Sequence, residues 1–409
     1  MSDPKHIRID DFDYPLPAER IAYYPKEERA TSRLLVYHRD GGAIVDDEFR
    51  HLPAHLTPDM MVVFNDSKVI HARLLVRNAT GASIEIFCLE PMAPVTELTA
   101  ALAQHGEVVW KCLVGNAKRW KHPLDFTVDL GGRLLTVTAE KGEPVENAFA
   151  VSFRWDASDI TFAEWVEAYG KMPLPPYIKR AAEQSDERRY QTVYAHHDGS
   201  VAAPTAGLHF TPELLRELSE KHIDTQYLTL HVGAGTFKPV SVEQIGDHFM
   251  HDEQIVVRRD LVEHLLQHPD KRIVAVGTTV TRSLESIFII GAKLLLGLPS
   301  PFHVEQWEYY DNADIRATTR EQSLTAIFNY LKDNDLEYVT GSTQLMIVPS
   351  YEFKMMGAII TNFHQPKSTL LLLITAFLGD EWRRIYAHAL SHDYRFLSYG
   401  DSSLLFKHE

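Results

Sequence analysis

The chain has 409 residues, enough for two to three domains of ordinary size and for a sizeable hydrophobic core. Hydrophobic residues make up 45% and charged residues 24% of the sequence, which excludes collagen-like, mucin-like and wholly disordered proteins. The formal net charge of −15 does not indicate a nucleic-acid binder, although such a total can conceal a local basic face.

The cysteines and the apolar runs bear on the compartment. Cys88 and Cys112 lie in alternating, strand-like segments, which predicts free, buried thiols in a reducing compartment. Residues 1–13 are polar and lack the apolar core of a signal peptide. The longest apolar run, Leu370 to Leu378, is far shorter than the ~20 residues of a membrane span. We therefore expect a cytoplasmic protein without a membrane partner.

The first 66 residues predict short strands and turns. Residues 32–37 form an apolar run that is followed by Asp40-Gly41-Gly42, a hairpin signal. Residues 60–64 predict a second strand, which ends at Asn65-Asp66.

Residues 67–154 predict a different unit, because short strand-like runs follow one another with no helical pattern between them. The runs are 69–76, 83–89, 108–114, 126–128, 134–139 and 148–153. We expect a small antiparallel β-barrel here, with residues 1–66 and 155–409 forming a separate body. The segment also contains Lys118-Arg119-Trp120-Lys121-His122, which fits either RNA contact with the tryptophan stacking on a base or an ordinary solvated turn.

From residue 157 onward the pattern alternates strand and helix, which predicts an α/β body with a buried, largely parallel sheet. A helix is expected over Thr161–Tyr169, and Thr211 and Pro212 are expected to open another as N-cap and first residue. Three strand–loop–helix units are predicted. Their strands cover 200–203, 272–276 and 357–361, and the last two precede helices over 281–290 and from 370.

The loops of these units carry Gly, Thr or Ser at a helix N-terminus, where free N–H groups favour an anion. Arg282 and Lys367 would add positive charge beside them. Helix caps use the same residue types, so one such loop alone also fits a purely structural role. Ligands of α/β sheets bind at the carboxyl ends of the strands, where all three loops are expected.

Five histidines lie in or beside these loops: His209, His231, His248, His251 and His364. General acid–base work by one or two of them is one interpretation. A metal site at His248 and His251 is another, but His-Glu-x-x-His and Cys-x-x-Cys motifs are absent, and we expect no metal. Gly233-Ala234-Gly235 lacks the third glycine of a dinucleotide fingerprint and predicts close backbone approach to a ligand.

The longer motifs resemble those of the S-adenosylmethionine:tRNA ribosyltransferase-isomerases, a family of queuosine-pathway enzymes. The most specific strings are Pro-Thr-Ala-Gly-Leu-His-Phe-Thr at 204–211 and Leu-His-Val-Gly-Ala-Gly-Thr-Phe at 230–237. Further matching segments lie at 12–17, 64–74, 173–180, 189–194, 277–286, 361–370 and 394–401. Together they cover nearly the whole chain in order.

The resemblance implies a barrel-like α/β body with an inserted small β-barrel. It also implies that S-adenosylmethionine gives its ribosyl carbons to a 7-aminomethyl-7-deazaguanine base in a tRNA anticodon, forming epoxyqueuosine with release of adenine and methionine. S-adenosylmethionine is then a consumed substrate, and no other cofactor is implied. The implied partners are this tRNA and S-adenosylmethionine, for a monomer or homodimer.

The chemistry of the implied reaction suggests roles for particular residues. A base must take a proton from the carbon beside the sulfonium, for which His209 and His231 are candidates, and His364 or Asp401 would protonate or orient the departing adenine. The expected substrate-binding residues are Asn65, Asp66, Arg73, Arg180, Tyr190, Thr205, Gly207, Gly233, Gly235, Thr236, Gly277, Thr278, Thr279, Arg282, Asn362, Lys367, Ser368 and Tyr399. Among these, the Gly277–Thr279 turn with Arg282 is expected to bind the methionine carboxylate, and the two tyrosines to stack on purines. Asn65, Asp66 and Arg73 are expected to position sugar hydroxyls where the body meets the insert.

The sequence departs from the family pattern around Thr343 and Gln344, where residues 342–347 stand in place of the usual Thr-Asp-Leu-Phe-Ile and the acidic residue is missing, and at Gln365, where Leu is usual. These changes bear on the acceptor more than on the use of S-adenosylmethionine. Two alternatives are a transferase that uses S-adenosylmethionine with another acceptor, and a non-catalytic RNA-binding relative.

Overall fold

A computed structural model describes residues 3–38, 41–233 and 240–407. The body is built on a ten-stranded sheet in the order β15-β16-β13-β12-β3-β14-β17-β18-β1-β2. Its strands are β1 (Arg33–His38), β2 (Ala43–Glu48), β3 (Met60–Asn65), β12 (Asp224–His231), β13 (Glu253–Arg258), β14 (Arg272–Val276), β15 (His303–Val304), β16 (Tyr338–Thr343), β17 (Ala358–Asn362) and β18 (Ser402–Phe406). Two further strands, β4 (Ser67–Val69) and β11 (His197–Ser200), pair with each other outside this sheet.

The large sheet is mixed, so the expectation of a largely parallel sheet is wrong. Of its nine strand pairs in the described ranges, five are parallel and four antiparallel. Strands β12, β3, β14 and β17 form its parallel centre, and β18 returns antiparallel beside β17. The hydrogen-bonded order leaves β15 and β2 as its two edges, so within the described residues no strand pair closes it into a barrel.

The parallel centre is buried on both faces, as the apolar residues of its strands show. Met61 and Val63 of β3 belong to the hydrophobic cluster on one face of the sheet, whereas Val62 and Phe64 belong to the cluster on the opposite face. This alternation follows from the two-residue period of a strand. Each fully buried aliphatic side chain contributes about 1.5–3 kcal/mol to folding, so burial of these side chains stabilises the central strands and fixes the positions of their carboxyl ends.

Helices cover both faces of the sheet. The helices outside the barrel segment are α2 (Phe162–Tyr169), α3 (Gln184–Arg189), α4 (Pro212–Glu220), α5 (Arg259–Gln267), α6 (Gly277–Leu296), α7 (Glu308–Asp311), α8 (Ala313–Ala317), α9 (Arg320–Asp333), α10 (Thr369–Leu378) and α11 (Glu381–Ser391), of which α2 packs on the barrel. Short 3₁₀ helices include Arg29–Thr31, Phe49–Ala54 and Thr205–His209. None of the helices in the described ranges has the length and hydropathy needed to cross a membrane.

Six antiparallel strands form the second sheet, in the order β5-β6-β7-β10-β9-β8. They are β5 (Arg73–Arg77), β6 (Ser83–Ala93), β7 (Glu107–Gly115), β8 (Leu124–Asp129), β9 (Leu134–Val145) and β10 (Ala148–Trp155), and the short helix α1 (Leu98–Leu102) follows β6. The end strands β5 and β8 lie in contact, so the sheet curls into a nearly closed barrel. Phe162 and Trp165 of α2 also belong to the hydrophobic core of this barrel. The domain boundaries expected at 66/67 and 154/155 stay a prediction.

Local signals predict helix starts correctly where the chain supplies its own caps. Thr161 and Glu164 form a capping box that opens α2, and the Thr211 side chain accepts the Leu214 N–H at the start of α4. The prediction of the first strand–loop–helix unit is wrong, because only Ser200 of residues 200–203 is in a strand, and that strand lies outside the large sheet. The prediction of the second loop is also wrong, since α6 begins at Gly277 itself and continues to Leu296.

Candidate active site

A cavity of about 730 Å³ lies where β14 and β17 end, at the carboxyl edge of the parallel centre. Seven of the residues expected from the sequence line it. They are Thr205, Gly277, Thr278, Thr279, Asn362, His364 and Ser368. They come from three segments far apart in the chain, so the fold converges them on one space, which we call the first cavity.

The N-termini of α6 and α10 both open on the first cavity. Ser368 caps α10 by accepting the Leu371 N–H at 3.2 Å, whereas the N-cap residue of α6, Val276, makes no side-chain cap. Gly277, at φ +91°, lets the chain pass directly from β14 into α6. The first N–H groups of α6 therefore face the cavity with the positive end of a 20-residue helix behind them, which favours an anionic group.

Asn362 links the first cavity to His209. Its side-chain oxygen accepts a 2.9 Å hydrogen bond from Thr205 Oγ1, and its Nδ2 donates to His209 Nε2 at 3.2 Å. Burial lowers the pKa of His209 to about 4, so the ring is neutral at neutral pH. His209 itself lies behind Asn362, in a small third cavity lined by Arg29, Arg189 and other residues.

His364 lines the first cavity directly. Its Nε2 and Thr361 Oγ1 share a 2.9 Å hydrogen bond, and its backbone N–H donates to the Tyr386 hydroxyl at 3.1 Å. The Tyr14 hydroxyl donates to the His364 carbonyl. Burial lowers the pKa of His364 to about 3, so this histidine also faces ligands as a neutral ring.

His231 lies in a different space, a second cavity of about 1040 Å³ between the body and strands β6 and β7 of the barrel. Gly233 lines the same cavity, and its N–H donates to Glu253 Oε1 at 3.2 Å. Burial lowers the pKa of His231 to about 4. Val232 lines both the first and the second cavity, so the end of β12 separates them. The two candidate bases are thus not brought together.

The expected cations are not at the first cavity. Arg282 is buried and its guanidinium binds the Glu253 carboxylate. Lys367 lies outside the lining residues, with its ammonium 2.8 Å from Asp10 and 3.3 Å from Asp13. The expectation that these two side chains supply free positive charge is wrong, because each already has a carboxylate partner within the chain.

Asn65 and Asp66 stabilise the fold where β3 meets β12. The Asn65 amide donates to the Leu230 carbonyl and accepts the Leu230 N–H, at 2.9 and 3.1 Å. Asp66 is buried, and its Oδ1 accepts a 2.6 Å hydrogen bond from Thr229 Oγ1. Burial is the largest influence on the Asp66 pKa and raises it. Neither side chain lines a described cavity, which does not match the expectation that they position sugar hydroxyls.

Arg180 and the two candidate stacking tyrosines form one structural cluster. The Arg180 guanidinium makes a two-pronged contact with Asp186 at 2.6 and 2.8 Å, and Tyr399 donates to the same carboxylate at 2.7 Å. Tyr190 is fully buried and meets Tyr399 edge to face, with ring centroids 5.9 Å apart. Tyr190 is fully buried and has no face open to a purine, whereas Tyr399 lines only the third cavity, so the structure gives the stacking role no support.

Three further expected residues also have structural contacts. Asp401 is buried and accepts the backbone N–H groups of Arg33 and Arg395 at 3.0 and 2.7 Å, outside the lining of the cavities described. Arg73 pairs with Glu85 at 2.8 Å within the barrel. A Cβ on Gly207 would lie 2.0 Å from the Tyr194 hydroxyl, so this glycine is required by packing. Gly235 and Thr236 lie outside the described residues.

The basic segment at 118–122, the two cysteines and the possible metal ligands can also be compared with the structure. Trp120 is buried in the barrel core, so it does not stack on a base, while its basic neighbours Lys121 and Arg119 are exposed. Cys88 and Cys112 are free and buried, as expected. In the described ranges, two groups of three side chains have metal-ligand spacing, at Asp46, His388 and His392 and at Asp224, His264 and His268, and neither includes His248 or His251.

The residues that depart from the family pattern lie in three different parts of the structure. Gln365 lines the first cavity. Gln344 donates to Asp252, a residue of the second cavity, at 3.0 Å. Thr343 is buried and shares a 2.7 Å hydrogen bond with Ser286. None of the expected catalytic or substrate-binding residues is among those that the barrel contributes to the second cavity, because no local pattern reveals which face of β6 and β7 meets the body.

Comparison with known proteins agrees with these motifs. The model of the family described as queuosine biosynthesis protein matches residues 9–405. A relative from Aromatoleum aromaticum named S-adenosylmethionine:tRNA ribosyltransferase-isomerase is 40% identical over 402 residues, 98% of this chain and 97% of the relative. One of the same name from Thermotoga maritima is 38% identical over 402 residues, 98% of this chain and 100% of the relative. A solved S-adenosylmethionine tRNA ribosyltransferase from Thermotoga maritima covers 97% of this chain and 100% of its own, at 30% identity and a TM-score of 0.47.

Proposed function

The chain belongs to the family of queuosine biosynthesis proteins, and we infer from this that it is an S-adenosylmethionine:tRNA ribosyltransferase-isomerase. The match runs over nearly the full length of both this chain and its relatives, so it concerns the whole enzyme and not one module. Its substrates are S-adenosylmethionine and tRNA. The free thiols at Cys88 and Cys112 fit a reducing compartment, and we assign the reaction to the cytoplasm.

The proposed reaction joins the ribosyl carbons of S-adenosylmethionine to the aminomethyl nitrogen of a 7-deazaguanine base in the anticodon. A proton leaves the carbon next to the sulfonium, and adenine departs with a proton. The acceptor aminomethyl group reacts as the neutral amine and loses a proton as its C–N bond forms, and methionine departs with the electron pair of its C–S bond. The protein must therefore bind a carboxylate, orient an adenine and admit a tRNA base. S-adenosylmethionine is consumed, so no resident cofactor is needed.

The observation that carries the proposal is the composition of the first cavity. Seven residues nominated by the family motifs converge there from three separate segments. The lining of the first cavity combines apolar and polar groups in the way that small-molecule sites require. We propose that S-adenosylmethionine binds there.

The N-terminus of α6 is the proposed site of the methionine carboxylate. Its N–H groups have no competing side-chain cap, whereas Arg282 is engaged by Glu253. Charge–dipole attraction at a helix start contributes about 0.3–2 kcal/mol, in addition to the hydrogen bonds from the N–H groups. This role needs no side-chain cation and agrees with the pairing of Lys367 to Asp10.

His364 is the proposed contact for the adenine or the reacting carbon. It is neutral because burial lowers its pKa to about 3, and Thr361 already engages Nε2, which leaves Nδ1 for a ligand. His209 acts through Asn362, whose amide it orients, and is therefore a positioning residue. A base with so low a pKa takes up a proton only transiently, which suits transfer to the departing adenine.

Adenine release tests the proposal. The enzyme is incubated with S-adenosylmethionine and either tRNA bearing the 7-aminomethyl-7-deazaguanine or the same tRNA with guanine in that position. We expect adenine only with the modified tRNA. Release that is independent of tRNA would favour another acceptor, and binding of the modified tRNA without any release would favour a non-catalytic RNA-binding protein.

A further inference from the structure

The second cavity has no role in the binding of S-adenosylmethionine described above. It lies between the body and the barrel, and its walls come from both: Leu113 and Lys111 from β7, His231 from β12 and Asp252 beside β13. Its volume of about 1040 Å³ exceeds that of the first cavity. A cleft between two sheets, open at one side, suits a group that is delivered by a large substrate.

His231 gives this cavity a buried ring nitrogen, Nδ1, that has no hydrogen-bond partner among the described residues. The residue is only 6% exposed, and Nδ1 finds no hydrogen bond in the described part of the chain. Gly199, at φ +142°, packs directly against the ring, where a Cβ would lie 2.7 Å from Nδ1 and 2.6 Å from Leu98 Cδ2. An unsatisfied buried polar group costs stability, and here a glycine makes room for it. His231 therefore brings an unpartnered ring nitrogen to the wall of the second cavity.

The charge of the second cavity favours a ligand with donors and positive charge. Among the described residues that line it, Lys111 is the sole lysine or arginine, and its ammonium lies 2.8 Å from Glu90 and 2.9 Å from Glu146. Asp252 adds a further carboxylate, which is 43% exposed and bonded to Gln344. The anionic carboxylate of S-adenosylmethionine would find no available cation here, unlike at the N-terminus of α6.

The acceptor base matches these features. A 7-deazaguanine presents N–H donors along one edge, and its aminomethyl group is a cation at neutral pH. Leu98 and Leu113 supply apolar surface for the flat ring, while Asp252 and His231 supply acceptors for its donors. Enzymes that modify a base extrude it from its stack into such a pocket, at low cost when the base is unpaired.

We propose that the second cavity binds the extruded 7-deazaguanine of the tRNA, with Asp252 and His231 as its hydrogen-bonding partners. The inference rests on the proposed function and adds to it the location of the acceptor. Val232, which lines both cavities, then lies between the two substrates. The aminomethyl group must pass this residue to reach the ribosyl carbons in the first cavity.

Four variants test the assignment. His231→Ala and Asp252→Asn remove the two polar partners, and Leu113→Trp fills the cavity from the barrel side. His222→Ala, at an exposed position after α4, is the matched control. For each variant, adenine release is measured against the concentration of modified tRNA, the S-adenosylmethionine Kd is measured by calorimetry without tRNA, and thermal unfolding checks the fold.

We expect kcat/KM for the modified tRNA to fall roughly 10- to 100-fold in the three cavity variants, because two of them lose a hydrogen-bond partner of the base and Leu113→Trp takes the space that the base needs. Their S-adenosylmethionine Kd should stay within about twofold of the wild-type value, and the control should change neither quantity. If one variant fails to fold, the other two decide the question, since they act on different walls.

Two results would overturn the assignment. A weakened S-adenosylmethionine Kd in the cavity variants would show that this substrate occupies the second cavity. Unchanged kinetics in all three would show that neither substrate does. Absence of adenine release from the wild-type enzyme with any tRNA contradicts the proposed function instead, so the two failures are distinct.

Discussion

Replacement of Arg282 tests whether this arginine stabilises the fold or binds substrate. Its guanidinium and the Glu253 carboxylate form an ion pair with side chains only 11% and 6% exposed. Arg282→Met keeps much of the side-chain volume but leaves a buried carboxylate without its main counter-charge, which typically costs about 3–5 kcal/mol. At about 2.1 cal/mol/K per residue, unfolding of all 409 residues has an entropy of roughly 0.9 kcal/mol/K, so Tm should fall by about 4–6 °C.

The double variant Arg282→Met, Glu253→Gln provides the control. It removes both charges and retains an acceptor for the Gly233 N–H, so differential scanning calorimetry should show that most of the lost Tm returns. The S-adenosylmethionine Kd of the double variant should remain within about threefold of the wild type. An unchanged Tm in the single variant, together with a much weaker Kd in both, would refute the structural role and restore Arg282 as a carboxylate ligand.

Three further predictions concern pH, a helix cap and RNA binding. The pKa of His364 is about 3 in the folded protein against 6.5 as its ordinary value, so the unfolded chain binds more protons between these values, and stability falls as the pH drops through this range. H364Q should therefore lose less Tm than the wild type between pH 7 and pH 5 in a scanning measurement, and an equal loss would contradict this. Ser368→Ala removes the α10 cap at a cost of about 0.5–2 kcal/mol and should lower Tm, whereas Ser368→Thr should not. The third prediction concerns the exposed basic side chains of Lys118, Arg119 and Lys121, which are replaced with Ala. The slope of log K for tRNA binding against log salt concentration should become shallower by about 0.7–0.9 for each phosphate that these side chains neutralise in the wild type. An unchanged slope would mean that tRNA binds to another surface.

Elements whose boundaries are encoded locally can be predicted from the sequence. The capping box at Thr161 and the Thr211–Pro212 start fix α2 and α4 because the capping groups lie within three residues of the helix start. The strands of the barrel are predictable for a similar reason, since Gly, Pro and Asn separate alternating runs. The start of α6 is not, because Gly277 enters the helix at a positive φ, which the sequence does not reveal.

The sequence does not reveal which partners its polar side chains bind in the folded protein. Arg282 meets Glu253 only because β13 lies beside the helix that carries the arginine, although the two residues are 29 positions apart. Asn65 is bound by the backbone of Leu230, 165 positions away, through the pairing of β3 with β12. Motif membership alone therefore does not separate residues that face a cavity from residues that hold the strands together.

The histidines show the same limit at the site itself. His209 and His231 both follow apolar segments and both lie in family motifs, yet one lies behind Asn362 and the other in the second cavity. Their separation depends on the barrel, whose strands β6 and β7 form the far wall of that cavity. No spacing within the chain carries this information, because it is set by how two sheets pack.

The proposed reaction requires that the ribosyl carbons of S-adenosylmethionine, and not its methyl group, reach the tRNA base. The most direct test supplies S-adenosylmethionine labelled with ¹³C in the ribose, together with the modified tRNA, and measures the mass of the digested nucleosides. We expect a nucleoside that is heavier by the labelled ribosyl-derived group and that forms at the same rate as adenine. A nucleoside that gains only a methyl group, or an unlabelled product, would contradict it.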